Sequence, residues 1–254
     1  MMFTPSDQVN WRKVKIIKED WRIAESPYHY EFILPEPLAS WDVFDYWEKE
    51  RFEHMATEIK QGDILFDIGT EQGWTNLIYA KFCGAENIVL FEPTKEFWAN
   101  IKETWNKNYN VPPLACYQGL VSNQSTSKKV LSKHEYPQCA NSGLLIDRNK
   151  YQYIHENDGS IEQITIDDYV KLSGIVPDAI TMDIEGAELL ALRGAEKTLK
   201  SHKPKLWVSI HDDLAKKDYS VKPGEVISYL RSLGYHYLHL ATDHESHDYF
   251  WADK

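Results

Sequence analysis

The chain has 254 residues, 43% hydrophobic and 26% charged, which suits one large globular domain with a filled core and excludes a disordered or fibrous chain. Its formal net charge is −11, so no general attraction to phosphate backbones is expected and nucleic-acid partners are disfavoured. Cys83, Cys116 and Cys139 show no Cys-x-x-Cys spacing, residues 1–11 carry no apolar leader, and no apolar run approaches membrane-spanning length. These features predict a protein of the reducing cytoplasm, away from membranes.

Residues 1–40 read as an extension of strands and loops, with short strands at Val14–Ile17 and Tyr30–Leu34. Ser40 is a candidate N-cap for a helix from Trp41 to about Lys60, ended by Gly62. From Asp63 the pattern alternates between strand and helix. Strand 63–68 leads to a helix over Trp74–Phe82, strand 87–91 to a helix over Lys95–Asn106, and a third strand spans Ala115–Val121. Residues 122–160 are polar and irregular, an insertion expected on the acceptor side. A strand at Ile161–Ile166 follows, with Asp167 expected to cap a short helix. The remaining expectations are strand 179–184, helix Ala187–Lys200, strand Lys205–Ile210, helix Gly224–Leu233 and a terminal hairpin near 235–240 and 248–252. The fold class is therefore α/β, a doubly wound Rossmann-like sheet that is mostly parallel with one antiparallel strand.

The most informative segment is the turn after the first of these strands, Asp67-Ile68-Gly69-Thr70-Glu71-Gln72-Gly73. A dinucleotide site needs glycines there so that a pyrophosphate can approach bare backbone. A carboxylate at Glu71 opposes a pyrophosphate and favours a cationic ligand. The next strand ends in Phe91-Glu92-Pro93, with Glu92 lying 25 residues beyond Asp67, the position from which a carboxylate accepts ribose hydroxyls. S-adenosylmethionine has both a cationic methionine end and a free ribose diol. Asp67, Gly69, Thr70, Glu71, Gly73, Glu92, Pro93 and Asp183 are the expected cofactor contacts.

A second acidic run, Met182-Asp183-Ile184-Glu185-Gly186-Ala187-Glu188, follows a later strand. Asp183 ends that strand, where open α/β sheets bind ligands. Asp183 and Glu185 are candidates to position a hydroxyl, act as base or hold a divalent metal. Glu188 equally suits a helix-capping role or acceptor contact, and Trp74 is a second acceptor-side candidate. His211, ending the next strand, is the leading candidate general base. Residues 244–248 read as a solvated loop.

At these motifs the chain resembles the FkbM family of S-adenosylmethionine-dependent methyltransferases over roughly residues 45–252. The resemblance rests on Trp47-Glu48, Asp67-Ile68-Gly69 with Gly73, Phe91-Glu92-Pro93 and Leu120-Val121-Ser122. It continues through Ile164-Thr165-Ile166-Asp167-Asp168-Tyr169, Met182 to Glu188, and Ser232-Leu233-Gly234-Tyr235. It implies a class I methyltransferase domain over 41–254 and O-methylation of a sugar or other small-molecule or glycan hydroxyl. The turn reads Thr70-Glu71-Gln72 where the family usually has Ala-Asn-x, and Ser209 stands where a Glu is frequent. Rival readings are a nicotinamide oxidoreductase, opposed by Glu71 and the missing middle glycine, and a non-catalytic cofactor-binding protein.

Overall fold

The computed structural model describes residues 4–5, 8–23, 26–35, 48–139, 143–144, 159–243 and 245–253. Strand β1 (Thr4–Pro5) precedes a long antiparallel hairpin, β2 (Trp11–Ile23) with β3 (Ser26–Pro35), and then helix α1 (Lys49–Glu58). The alternation begins with β4 (Leu65–Ile68), α2 (Thr75–Cys83), β5 (Ile88–Phe91), α3 (Phe97–Asn108) and β6 (Ala115–Tyr117). Short strands β7 (Leu120–Val121), β8 (Gly143–Leu144) and β9 (Gln163–Ile164) lead to α4 (Ile166–Ser173). There follow β10 (Ala179–Met182), α5 (Glu188–Arg193), α6 (Glu196–His202), β11 (Lys205–Ile210), α7 (Asp212–Tyr219) and α8 (Glu225–Ser232). The hairpin β12 (His236–Thr242) and β13 (Ser246–Trp251) closes the chain.

Seven strands form the central sheet in the order β12-β13-β11-β10-β4-β5-β6. All contacts from β11 through β6 are parallel, while β13 runs antiparallel between β11 and β12. The order reverses between β4 and β10, which puts the topological switch point, and the cleft beyond the strand ends, at that pair. Both faces are covered. In β4 and β5, Leu65, Ile88 and Leu90 enter the core with α1, α2 and α3, whereas Phe66, Val89 and Phe91 enter the opposite core with α4, α5 and α8. Residues of alternate parity thus bury on opposite faces, and these strands read as unbroken apolar runs. Among the described residues no helix is long and apolar enough to cross a membrane.

Several expectations need correction. The strand expected over Ala115–Val121 breaks after Tyr117, because a Cβ at Gly119 would lie 2.6 Å from the Glu162 carbonyl oxygen; β7 then pairs with β9 in a separate small sheet. The helix expected over Ala187–Lys200 is two helices. They part at Gly194, packed so tightly that a Cβ there would stand 2.1 Å from the Ser122 carbonyl oxygen. Thr165, not Asp167, caps α4, its hydroxyl accepting from the Asp168 N–H at 3.0 Å. Asp167 instead accepts from the N–H groups of Lys197 (3.0 Å) and Thr198 (2.8 Å) and from the Thr198 hydroxyl (2.7 Å), capping α6 from a distant helix. Helix α7 had no counterpart in the sequence reading. The expected N-cap at Ser40 and most of the 122–160 insertion beyond residue 139 lie outside the described residues.

Asp167→Ala removes the acceptor for three donors at the start of α6. A loss of about 1–2 kcal/mol in urea unfolding is expected; an unchanged midpoint would contradict the cap.

Candidate active site at the switch point

A cavity of about 190 Å³ opens beyond the ends of β4, β5 and β10. Of the residues expected from sequence, Asp67, Gly69, Glu71, Trp74, Glu92, Pro93, Asp183 and Glu185 line it. Thr70, Gly73, Glu188 and His211 stand behind that lining.

The cofactor turn is held over β5. The N–H groups of Gly69 and Thr70 both donate to the Phe91 carbonyl, at 3.0 and 3.1 Å. Gly69 has φ of +94°, and a Cβ there would fall 1.8 Å from the Asp183 carbonyl oxygen, so only glycine fits. Gly73 packs on α3, where a Cβ would come 2.9 Å from the Ile101 Cα, and its N–H is committed to the Thr70 carbonyl at 3.1 Å. Gly73 therefore seats the following helix and presents no free N–H to a ligand. Thr70 is buried, and its hydroxyl donates to the Asp67 carboxylate at 3.1 Å. Gln72, also buried, accepts from the Asn100 side chain at 3.1 Å. These two residues thus have inward-facing roles at the departures from the family turn.

Glu71 is held at a left-handed φ of +51°. Its N–H donates to Glu92 Oε2 at 2.9 Å, while the Thr94 N–H donates to Oε1 at 2.7 Å. The Trp98 indole fixes the Glu92 carbonyl at 3.1 Å. Glu92 is a carboxylate aimed by backbone at both oxygens, with lone pairs left for two further donors. Burial pushes it up to about 8, against the pull of its bonds to Thr94 and Glu71. Burial likewise pushes Asp67 up to about 7, opposed by the Thr70 hydroxyl and the Arg51 charge.

The wall at the end of β10 is acidic. The turn after β10 places Glu185 at φ +54° and Gly186 at +98°. Glu188 is fully buried; its Oε1 accepts from the Gly186 N–H (3.0 Å) and pairs with His211 Nδ1 (2.9 Å). The acceptor contact expected of Glu188 is therefore replaced by a supporting role. His211 Nε2 bonds to Glu245 and lies 3.7 Å from Asp183 and 3.9 Å from Glu185. Burial alone would lower His211, but the bonds to Glu188 and Glu245 and the charge of Asp183 outweigh it and push it up to about 11. These two bonds favour the imidazolium form of His211, which weighs against the role of general base expected of it. Burial, then the nearby Glu245 charge, raises Asp183 well above the ordinary carboxylate range, against the pull of His211 and Arg51. About a third of its side chain still faces the cavity.

Sequence reasoning missed Glu48, Arg51 and Glu245, which also line the cavity. Arg51, from α1, is buried and donates to Glu48 (2.8 Å), to the Ser209 hydroxyl (2.8 Å) and to Thr181. Burial would weaken its charge, but Tyr79, Glu48, Asp183 and Glu245 together hold it firmly cationic. Residues 245–248 are not a solvated loop: Glu245, His247 and Asp248 are all buried. The only advance signal for this side was Trp47-Glu48 within the family resemblance.

Ligand atoms of Asp183, Glu185 and His211 lie within 4.8 Å of one another, as do those of Glu48, Asp183 and Glu245. This donor set is a poor fit for a divalent metal, which the sequence leaves possible at Asp183 and Glu185. His211 would have to surrender a proton, and the Arg51 and His211 cations already supply countercharge to the cluster.

No curated protein matches the chain closely enough to count as a relative. Among solved structures it is similar to a methyltransferase FkbM from Methylobacillus flagellatus at 18% identity and a TM-score of 0.48, over 75% of this chain but only 43% of that one. A precorrin-6y C5,15-methyltransferase from Geobacter metallireducens shares 11% identity at a TM-score of 0.45, over 81% of this chain and 89% of that one. An S-adenosylmethionine-dependent O-methyltransferase from Thermotoga maritima shares 10% at 0.43, over 91% and 76%. The family model for the methyltransferase FkbM domain matches residues 67–237, more than half of the chain and all of the cavity's strand ends. The sheet order, the carboxylate aimed by the Glu71 and Thr94 N–H groups and the acidic reaction wall thus belong to a member of the FkbM methyltransferase family, built on the class I fold.

Proposed function

We propose that the chain is an S-adenosylmethionine-dependent O-methyltransferase of the cytoplasm, acting on a hydroxyl of a sugar or another small-molecule or glycan acceptor. The observation that carries this reading is a pair of carboxylates facing one cavity, the buried Glu92 and the half-buried Asp183. When bound, S-adenosylmethionine supplies a methyl group already activated on a sulfonium.

The chain's own residues supply the rest. Glu92 accepts from the two ribose hydroxyls, its direction fixed by the N–H groups of Glu71 and Thr94. Asp67 and Glu71 place negative charge beside the cationic methionine end, where low dielectric strengthens the attraction. Trp74, Phe91 and Phe97 wall the cavity and limit water. Asp183 takes the hydroxyl proton as the acceptor oxygen attacks, aided by the raised proton affinity that burial gives its carboxylate. The surplus of carboxylates around the cavity favours hydroxyl-bearing acceptors and disfavours phosphates and nucleic acids. Three free thiols fit a reducing compartment.

Binding of S-adenosylhomocysteine should strengthen as pH rises from 6 to 9. Protonated Glu92 loses its charge-assisted acceptor role below about 8, whereas ribose hydroxyls stabilise the ionised form, so binding at pH 7 releases a proton. Calorimetry in buffers of different ionisation enthalpy measures that release; a pH-independent affinity would contradict it. Glu92→Gln should weaken binding by about 10-fold or more and flatten the pH dependence.

Turnover is read as S-adenosylhomocysteine release with glucose, galactose, mannose, rhamnose and their methyl glycosides. Asp183→Asn is expected to bind cofactor within about 3-fold of wild type and to lose roughly 10²-fold or more in kcat. Full activity in that variant would remove Asp183 as the base, and tight binding without turnover on any acceptor would favour a non-catalytic role.

A further inference from the structure

Glu245 enters the reaction end from the far end of the chain. It sits in the turn between β12 and β13, yet it is 6% exposed and lines the cavity. The turn is tied down on several sides. Asp243 accepts from the Glu245 N–H (3.3 Å) and pairs with His247 Nε2 (3.0 Å), and the Asp243 N–H donates to the Glu245 carbonyl (3.2 Å). His247 Nδ1 lies 3.3 Å from the Ser209 hydroxyl, which accepts from Arg51. A buried polar chain therefore runs from α1 through β11 to the hairpin and fixes where Glu245 points.

His211 has two N–H groups in its cationic form. One goes to Glu188, the other to Glu245. Asp183 stands 3.7 Å from the same Nε2, too far to receive that proton as a hydrogen bond but close enough to do so after a small tilt of the ring. Glu185 lies 3.9 Å from it, so three carboxylates surround one donor; Glu245 has it, and Asp183 is the nearer of the other two.

We infer that Glu245 is a positioning residue for methyl transfer: by holding the Nε2–H of His211 it keeps the Asp183 carboxylate open to the acceptor hydroxyl. This rests on the methyltransferase reading of the site. Without Glu245 the ring tilts to Asp183, and the base is occupied by an internal donor. The effect falls on kcat, because Asp183 acts in the chemical step, and leaves cofactor binding at the Glu92 wall intact.

The test compares Glu245→Ala with Glu245→Gln in the full chain, with thermal melting as the folding control. If the alanine variant does not fold, Glu245→Met replaces it, filling the space without accepting a proton. Crystal structures of the variants, with and without S-adenosylhomocysteine, are expected to show His211 Nε2 closing to hydrogen-bond distance from Asp183 in the alanine form. Kinetics on the sugar panel should show kcat down at least about 10-fold in the alanine form, KM for cofactor within about 3-fold, and partial recovery in the glutamine form, which keeps an acceptor oxygen. An unmoved His211, or wild-type kcat in the alanine form, overturns the inference. Failure of wild type to bind S-adenosylhomocysteine would instead strike the methyltransferase reading, while the ring position in ligand-free crystals still decides this one.

Discussion

The contact on which the site depends is the one between Gly69 and the Asp183 carbonyl. A single added carbon at Gly69 would lie 1.8 Å from that oxygen, so the turn after β4 is pressed directly against the chain leaving β10. These are the two strands on either side of the switch point. Their parallel pairing brings Ile68 level with Met182, and the close approach continues one residue beyond the ladder. As a result the cofactor turn and the reaction wall form one rigid rim. Asp67 and Glu92 stand on one side of it and Asp183 on the other, without a flexible loop setting their separation.

Charge is the second organising constraint. Buried carboxylates are costly unless paired or hydrogen-bonded. This rim gathers Glu48, Asp67, Glu92, Asp183, Glu185, Glu188 and Glu245 around two internal cations, Arg51 and His211. The arrangement divides into parts with different work. Glu188 and Glu245 are committed to His211, and Glu48 to Arg51. Glu92 is satisfied by backbone donors but desolvated. Asp183, 3.7 Å from the His211 ring and not hydrogen-bonded to it, is displaced towards the neutral form by burial and the Glu245 charge. An acidic, partly protonated pocket is poorly suited to pyrophosphate and well suited to a ligand that brings positive charge and hydroxyl groups.

Much of this was legible in the sequence because it is local. An apolar run followed by Asp67-x-Gly69, and another ending in Glu92, specify strand, turn and strand-end acid within a few residues of one another. Asp183 and His211 were legible for the same reason. What sequence could not show was partnership. Glu71 read as an electrostatic feature of the turn, yet its N–H is what aims Glu92. His211 read as a base because its neighbours Glu188, Asp183, Glu185 and Glu245 could not be placed around it. Glu48, Arg51 and Glu245 come from segments about 200 residues apart at their extremes, and only tertiary packing joins them. The 244–248 run looked solvated because it is polar; Glu245 pairs with His211, His247 with Asp243 and Ser209, and Asp248 with His239 and Ser246, which lets these three bury. Gly194 lies inside the helix expected over Ala187–Lys200 and proved to be a break, packed against the Ser122 carbonyl.

The most direct test of the account is a crystal structure of the full chain with S-adenosylhomocysteine. The account predicts the Glu92 carboxylate accepting from both ribose hydroxyls, with the homocysteine sulfur lying between the Asp67 turn and Asp183 and its methyl-bearing side towards Asp183. A nucleoside bound elsewhere, or a ribose that leaves Glu92 bonded only to the Glu71 and Thr94 N–H groups, would contradict it.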